Sequence, residues 1–375
     1  MAACNGNGPF CSKLEFHAIQ TVMPVKPTDP RKSTRVCLSE NPISGIFSRC
    51  FNVLLCYQKV ASEEEDSGIA SGSLVAGWIR ESLGWALSEQ PMLAGRLRRN
   101  QDVEGELEMV SNDSGVRLIE AQLAMTLSEF LDLKDEKKAE AELVFWEGLD
   151  HEQNPQFSPL FYVQVTSFKC GGYSIGISCS LLLVDPVAMT SFLKRWRDIH
   201  VEMVSRTDVP KIPIFYRPNL RNPGPFPGLS IGSSKKAYAA KTMIFTIANE
   251  VLDLDSEIHN KFAAACIDEA EYKLGYKTAP SLNFSFLVKE PSEEVNVRNF
   301  TRGGLVQKPS TTVNGIHTCS TWDDLGVTEI WFEEGNRPAH VSCWINSVPD
   351  EALVMIIPSP EKDGSGMKIV VTLPH

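Results

Sequence analysis

Leu160-Phe-Tyr-Val-Gln-Val-Thr-Ser-Phe168, then Lys169-Cys-Gly-Gly172, then Tyr173-Ser-Ile-Gly-Ile-Ser-Cys-Ser-Leu181 read as a strand, a turn and a returning strand. Aromatic and β-branched residues fill both runs, and a Gly pair sits between them. The second run alternates Tyr173, Ile175, Ile177 and Cys179 with Ser174, Gly176, Ser178 and Ser180. One face is therefore apolar and the other small, as where another element or a ligand comes close. Asp185-Pro186 then opens a helix, with Asp as N-cap and Pro at the first helical position. Met189, Phe192, Leu193, Trp196, Ile199 and Met203 mark its buried side. A strand exit thus lies beside a helix start, whose first backbone N–H groups have no partner within the helix.

Upstream of this hairpin, residues 13–24 alternate as a strand and stop at prolines, and 51–60 read as a buried strand. A helix is predicted from Ser71 or Ser73, with Val75, Ile79, Leu83 and Leu87 on one side and Pro91 ending it. Leu107–Val110 and Val116–Glu120 flank the turn Asn112-Asp-Ser-Gly115, which predicts a second hairpin. Residues 126–141 read as an exposed helix whose charges face solvent.

Downstream, Pro210, Pro213, Pro218, Pro223, Pro225 and Pro227 exclude a helix or central strand and mark a linker over 205–236. Beyond it the reading is a strand over 241–247, a helix over 254–274 and a short strand over 285–288. Strands are also predicted over 327–332, 340–345 and 353–357. A last hairpin turns at Asp363–Gly366 and ends in 367–373. Strands and helices mix without strict alternation, so the fold class is α/β or α+β with mixed sheets. Three parts follow: an N-terminal domain over 1–204, a crossover over 205–236 and a C-terminal domain over 237–375.

The 375 residues carry a formal charge of −11. This argues against a nucleic-acid partner, which needs clustered Lys and Arg, and against a basic membrane-surface helix. No run reaches the ~18–20 apolar residues of a membrane span, and the first residues lack a secretory leader's basic and apolar regions. A protein that does not span a membrane, placed in the cytoplasm, is expected. The ten cysteines show no C-x-x-C spacing and the seven histidines no H-E-x-x-H or H-x-x-x-H spacing. Reduced, mostly buried thiols and no catalytic metal are expected.

The ordered motifs resemble the plant BAHD acyltransferases. Pro91-Met-Leu-Ala-Gly-Arg-Leu97 is similar to the family's P-L-A-G-R segment, and Asn112–Arg117 to the strand start that follows. Phe157–Leu160 and Phe168–Gly172 match the hairpin entering the active-site strand. Cys179–Asp185 aligns with the H-x-x-x-D segment, and Thr318-Cys-Ser-Thr-Trp322 with a T/S-S-W stretch. Phe332–Pro338 stands where the family has D-F-G-W-G-K-P; only Arg337-Pro338 resembles it, and the motif is mostly structural.

The resemblance implies a two-domain, chloramphenicol-acetyltransferase-like fold. It implies acyl transfer from coenzyme A to an alcohol or amine, acyl-CoA as co-substrate or ligand with no bound cofactor, and a monomer. It also puts Leu181 where the family has its catalytic histidine and gives Asp185 a structural role, paired in the family with an Arg of a D-x-R segment. The nearest equivalent here is Lys289-Glu290-Pro291, which lacks the Arg. Leucine cannot accept a proton, so no catalytic residue is assigned. Cys179 and His317 are candidate substitutes, each set against a plain buried thiol or a satisfied histidine. Ser320, Thr321 and Trp322 are expected near the acyl carbonyl.

Only about 25 residues separate Pro291 from His317, where the family has a longer segment, and the chain stops just after the last hairpin. The second domain is expected to be reduced, natively or as a shortened gene product. Three functions are therefore weighed: a divergent acyltransferase with weak or lost transfer in specialised or cuticular-lipid metabolism; a non-catalytic accessory of very-long-chain fatty-acid elongation, like the eceriferum-type wax proteins, with elongase components as partners at the cytosolic face of the endoplasmic reticulum; and a non-transfer reaction in a retained pocket.

Overall fold

The computed structural model describes residues 14–38, 45–59, 71–100, 106–150, 153–206, 213, 240–247, 256–289, 294–305, 316–333, 335–357 and 367–374. In chain order the larger elements are β1 (Leu14–Val22), β2 (Ser33–Leu38), β3 (Cys50–Tyr57), α1 (Ser71–Glu89), β4 (Arg96–Arg99), β5 (Leu107–Val110), β6 (Val116–Leu123), α2 (Leu127–Leu131) and α3 (Glu136–Glu142). They continue with β7 (Phe161–Phe168), β8 (Tyr173–Ser180), α4 (Pro186–Val204), β9 (Lys241–Ile247), α5 (Ser256–Leu274), β10 (Asn283–Lys289), β11 (Val295–Thr301), β12 (Ile316–Ser320), β13 (His340–Ile345), β14 (Glu351–Ile357) and β15 (Met367–Leu373).

Two mixed sheets result, in the order β1-β6-β7-β8-β3-β13 and β12-β9-β15-β14-β10-β11-β2-β5-β4. Each takes strands from both halves of the chain. Late β13 pairs with early β3, and early β2 pairs with late β11. The expected mixed α/β class is the one observed. No helix among the described residues is long and apolar enough to cross a membrane.

β7 and β8 pair antiparallel, as the opening stretch predicts. The small face of β8 meets backbone: a Cβ on Gly176 would lie 1.9 Å from the Leu143 carbonyl oxygen, and Ser178 Oγ donates to the Phe145 carbonyl. β3 is buried at every position, as a near-continuous apolar run between two layers should be. Helices α1 and α4 lie together over this sheet's apolar face. Ser82 Oγ is 2.9 Å from His200 Nδ1 and accepts from Trp196 Nε1 at 2.9 Å, and all three side chains are buried.

Three expectations need correction. β5 and β6 do not form a hairpin: β5 pairs with β2 and β4, whereas β6 pairs with β1 and β7. The turn exists, with Asp113 at φ 56° and Gly115 at φ 83°, but it passes the chain from one sheet to the other. The helix over 126–141 is two helices, α2 and α3. Thr126 caps the first through a capping box with Glu129. Residues 327–332 form a 3-10 turn at Val327–Glu329 and no strand. Its apolar pair, Val327 and Ile330, is spaced by three, the 3-10 period. Finally, β2, β4, β11 and β12 are strands that apolar alternation does not reveal. Apart from residues 205, 206 and 213, the proline-rich crossover lies outside the described residues, as does the turn at Asp363–Gly366.

Candidate active site

Leu181 follows β8 directly and is fully buried, as is Leu182; Leu183 and Val184 are nearly so. The backbone there is tied at each step. Leu181 N–H donates to the Arg49 carbonyl (3.2 Å), and Leu183 and Val184 N–H donate to the Ser180 carbonyl (3.0 and 3.2 Å). Leu182 N–H donates to Ser180 Oγ at 3.3 Å. Asp185 Oδ1 then accepts from Val187 and Ala188 N–H at 3.0 and 2.9 Å, the N-cap expected from Asp-Pro.

A cation does reach Asp185. Lys289, the last residue of β10, donates from Nζ to the Leu183 carbonyl at 3.2 Å and lies 3.9 Å from Asp185 Oδ2. It opens the Lys289-Glu290-Pro291 segment that the resemblance sets against D-x-R, in which Pro291 falls at the Arg position. Burial lowers its ammonium below the usual lysine range, and the Asp185 carboxylate opposes that shift. Lys289 joins the nine-stranded sheet to the strand–helix junction of the six-stranded one.

Cys179 is wholly buried, and loss of hydration raises its thiol far above the ordinary value, so no thiolate is at hand. It pairs in register with Phe51 of β3, whose ring packs against Trp322 at a tilt of 35° with centroids 5.1 Å apart. Trp322 is thus brought to the end of β8. Thr321 is exposed, and both its N–H (2.6 Å) and its hydroxyl (3.2 Å) donate to Asp324 Oδ2. Ser320 ends β12, half-buried. His317 lies on β12 at a register shift between Ile316 and Thr318, and its side chain is outside the described residues. Arg337 is exposed and Pro338 half-buried; the adjoining Asn336 donates to the Gln58 carbonyl at 3.1 Å, docking this loop on the end of β3.

Sequence reasoning missed a buried polar chain beneath the junction. The fully buried Arg49 guanidinium donates to the carbonyls of Asn346 (3.3 Å) and Glu351 (2.8 Å) and lies 3.5 Å from Glu351 Oε1. Ser285 Oγ donates to the same carboxylate oxygen. Burial lowers Arg49 to about 10 despite Glu351. Asn52 Nδ2 donates to Asn346 Oδ1 at 2.8 Å, and Cys50 Sγ donates to Asn52 Oδ1 at 3.3 Å. Arg49 thereby bonds the start of β14 and, through its own carbonyl, holds Leu181. The available signal was a charged residue opening each of two apolar strands, at Arg49 and Glu351.

Together these contacts leave a strand-to-helix junction with no side chain free to take a proton among the groups described. Asp185 caps a helix, Lys289 is a cation, Cys179 holds its proton and Glu351 is paired. Residues 13–272 match the transferase family, and the chain belongs to that family, the BAHD acyltransferases. It is 40% identical over 86 residues to Protein ECERIFERUM 2 of Arabidopsis thaliana, covering 22% of this chain and 20% of that protein. It is 33% identical over 184 residues to taxadien-5-alpha-ol O-acetyltransferase of Taxus chinensis, covering 48% of this chain and 40% of that one. The matched stretches span less than half the length of these relatives. Among solved structures, vinorine synthase aligns over 96% of this chain and 95% of its own, with TM-score 0.46 and 15% identity. TRI101 of F. graminearum, solved with ethyl coenzyme A, aligns over 92% and 95%, with TM-score 0.40 and 12% identity.

Proposed function

We propose that this chain is a divergent acyltransferase-family member in which histidine-based transfer from acyl-CoA to an alcohol or amine is weak or lost. One observation carries the reading: a hydrocarbon, Leu181, at the position the H-x-x-x-D alignment gives to the base, with the neighbouring titratable groups committed elsewhere. A general base contributes about 10²–10⁴-fold, and proximity alone serves only an acceptor that is already nucleophilic. Acyl-CoA then acts as a slow co-substrate or as a bound ligand.

The similarity to the ECERIFERUM proteins favours a second reading, a non-catalytic accessory of very-long-chain acyl elongation at the cytosolic face of the endoplasmic reticulum. Purified protein assayed with a panel of acyl-CoA donors and alcohol and amine acceptors tests the first reading. Turnover at rates ordinary for enzymes, about 1–10³ per second, would overturn it. Co-expression with an elongase condensing enzyme tests the second. Longer acyl chains support it, and an unchanged chain-length profile counts against it.

A further inference from the structure

The six-stranded sheet carries a polar stripe on the face turned away from α1 and α4. Val163 and Val165 of β7 and Ile175, Ile177 and Cys179 of β8 pack into the main core. By strand alternation Gln164 and Thr166, with Ser174, Gly176 and Ser178, take the opposite face. The chain leaving α3 runs over these residues and meets them with backbone carbonyls. The Glu142 carbonyl accepts from Gln164 Nε2 at 3.1 Å, and the Phe145 carbonyl accepts from Ser178 Oγ. Between them the Leu143 carbonyl oxygen is aimed at Gly176, 1.9 Å from where a Cβ would stand.

Two atoms of the stripe have no partner. Gln164 Oε1 and Ser174 Oγ are buried and make no hydrogen bond among the described residues. Gln164 is 1% exposed and Ser174 0%. Turning the Gln164 amide over does not cure this. Its Nε2 donates both to the Glu142 carbonyl and to Thr166 Oγ1, the latter at 3.0 Å. The reversed amide would set Oε1 against the Glu142 carbonyl, with two acceptors face to face. The two orphans are also neighbours. Thr166, which holds the Gln164 amide, is the register partner of Ser174. Gln164 and Ser174 are therefore diagonal across β7 and β8, a spacing of about 7–8 Å at the strands. After a glutamine and a serine side chain have each reached inward, that spacing leaves a gap for one small hydrogen-bonding molecule.

We propose that Gln164 Oε1 and Ser174 Oγ hold a buried structural water that ties the segment after α3 to the centre of the sheet. The chemistry of the gap selects the occupant. An unpaired amide oxygen needs a donor, which an anion without a proton cannot supply. Magnesium and calcium take about six to eight oxygen ligands, whereas a buried water is satisfied by about two to four polar partners. Here the water donates one hydrogen to Gln164 Oε1 and accepts from the Ser174 hydroxyl. The Leu143 carbonyl, aimed at the same stripe, is the acceptor available to its second hydrogen. A small residue at 174 supplies the room, and a larger one would fill it. Leaving two buried polar atoms unmet is costly, and a water that meets both removes that cost. The sequence signal is a glutamine inside an aromatic and β-branched strand, opposite a strand whose alternate positions are Ser, Gly and Ser.

A near-atomic-resolution crystal structure of the full-length wild type tests this directly. Density for one well-ordered water within hydrogen-bond distance of both Gln164 Oε1 and Ser174 Oγ is expected. An empty gap overturns the proposal, as does a rotamer in which either atom bonds directly to protein. In solution, oxygen-17 relaxation dispersion reads the number of long-lived internal waters. Ser174→Val, which puts methyl groups into the gap, should lower that number by one, while Ser191→Ala on the exposed side of α4 should leave it unchanged. A folded Ser174→Val protein with the wild-type number overturns the proposal. Should that variant not fold, the wild-type density alone decides.

Discussion

Glu351→Gln probes the bond between the two sheets. In the native protein Arg49 is fully buried, and Glu351 is its charged partner at 3.5 Å. The cation retains two carbonyl acceptors but loses its counter-charge in the variant. Removing one partner of a buried pair costs about 3–5 kcal/mol, because the remaining charge is uncompensated. Unfolding entropy near 2.1 cal/mol/K per residue over 375 residues is ~0.8 kcal/mol/K, so the Tm should fall by ~4–6 °C. Arg49 is lowered to about 10 even with Glu351 in place, so its burial is unfavourable on balance. Arg49→Met with Glu351→Gln removes both charges and keeps a hydrogen-bond acceptor for Ser285. The double variant should therefore be more stable than Glu351→Gln alone. Thermal and urea unfolding of both single variants and the double completes the cycle. A neutral Glu351→Gln, or a double variant whose loss equals the sum of the singles, refutes the reasoning.

His200, lowered to about 4 by burial, should make stability fall on the acid side. Its folded pKa lies below the unfolded 6.5, so the unfolded chain takes the proton first as pH drops. The loss runs from about pH 6.5 to 4 and totals ~3 kcal/mol. His200→Gln should flatten that slope, and an unchanged pH profile of unfolding would refute the assignment. Gly176→Ala puts a methyl 1.9 Å from a backbone oxygen and should cost about 3 kcal/mol, whereas Gly148→Ala, with nothing within 4 Å, should be near neutral; equal Tm values for the two would contradict the close approach on β8. Lys289→Met should cost about 1–3 kcal/mol and Lys289→Arg less, measured by urea midpoint, since Asp185 keeps its N-cap bonds but loses its cation; no difference between the two would show that the charge is immaterial.

What the sequence made legible is local. The β7–β8 hairpin and the Asp185 cap depend on a few neighbouring residues, and both are where the residue order puts them. The 112–115 turn was also legible, but turn chemistry does not say which sheet receives the next strand, and β6 goes to the other one. Short strands such as β4 are defined by their neighbours and carry little pattern of their own. The site divides the same way. Leu181 and Asp185 are read from one motif. The Lys289 contact with Asp185 and the Arg49 contact with Glu351 join residues about 100 and 300 positions apart. Nothing local in the sequence encodes such pairings. Lys289 shows the limit clearly: the missing arginine was visible, but the lysine's reach to Asp185 was not.

The most direct test of the central claim is kcat/KM for acyl transfer by Leu181→His beside the wild type, with the same donors and acceptors. If the base has been lost, the wild type is near background and the imidazole raises transfer, by up to the ~10²–10⁴-fold that a general base supplies. Brisk wild-type transfer that histidine leaves unchanged or lowers would contradict the claim and point to a proton acceptor elsewhere in the chain.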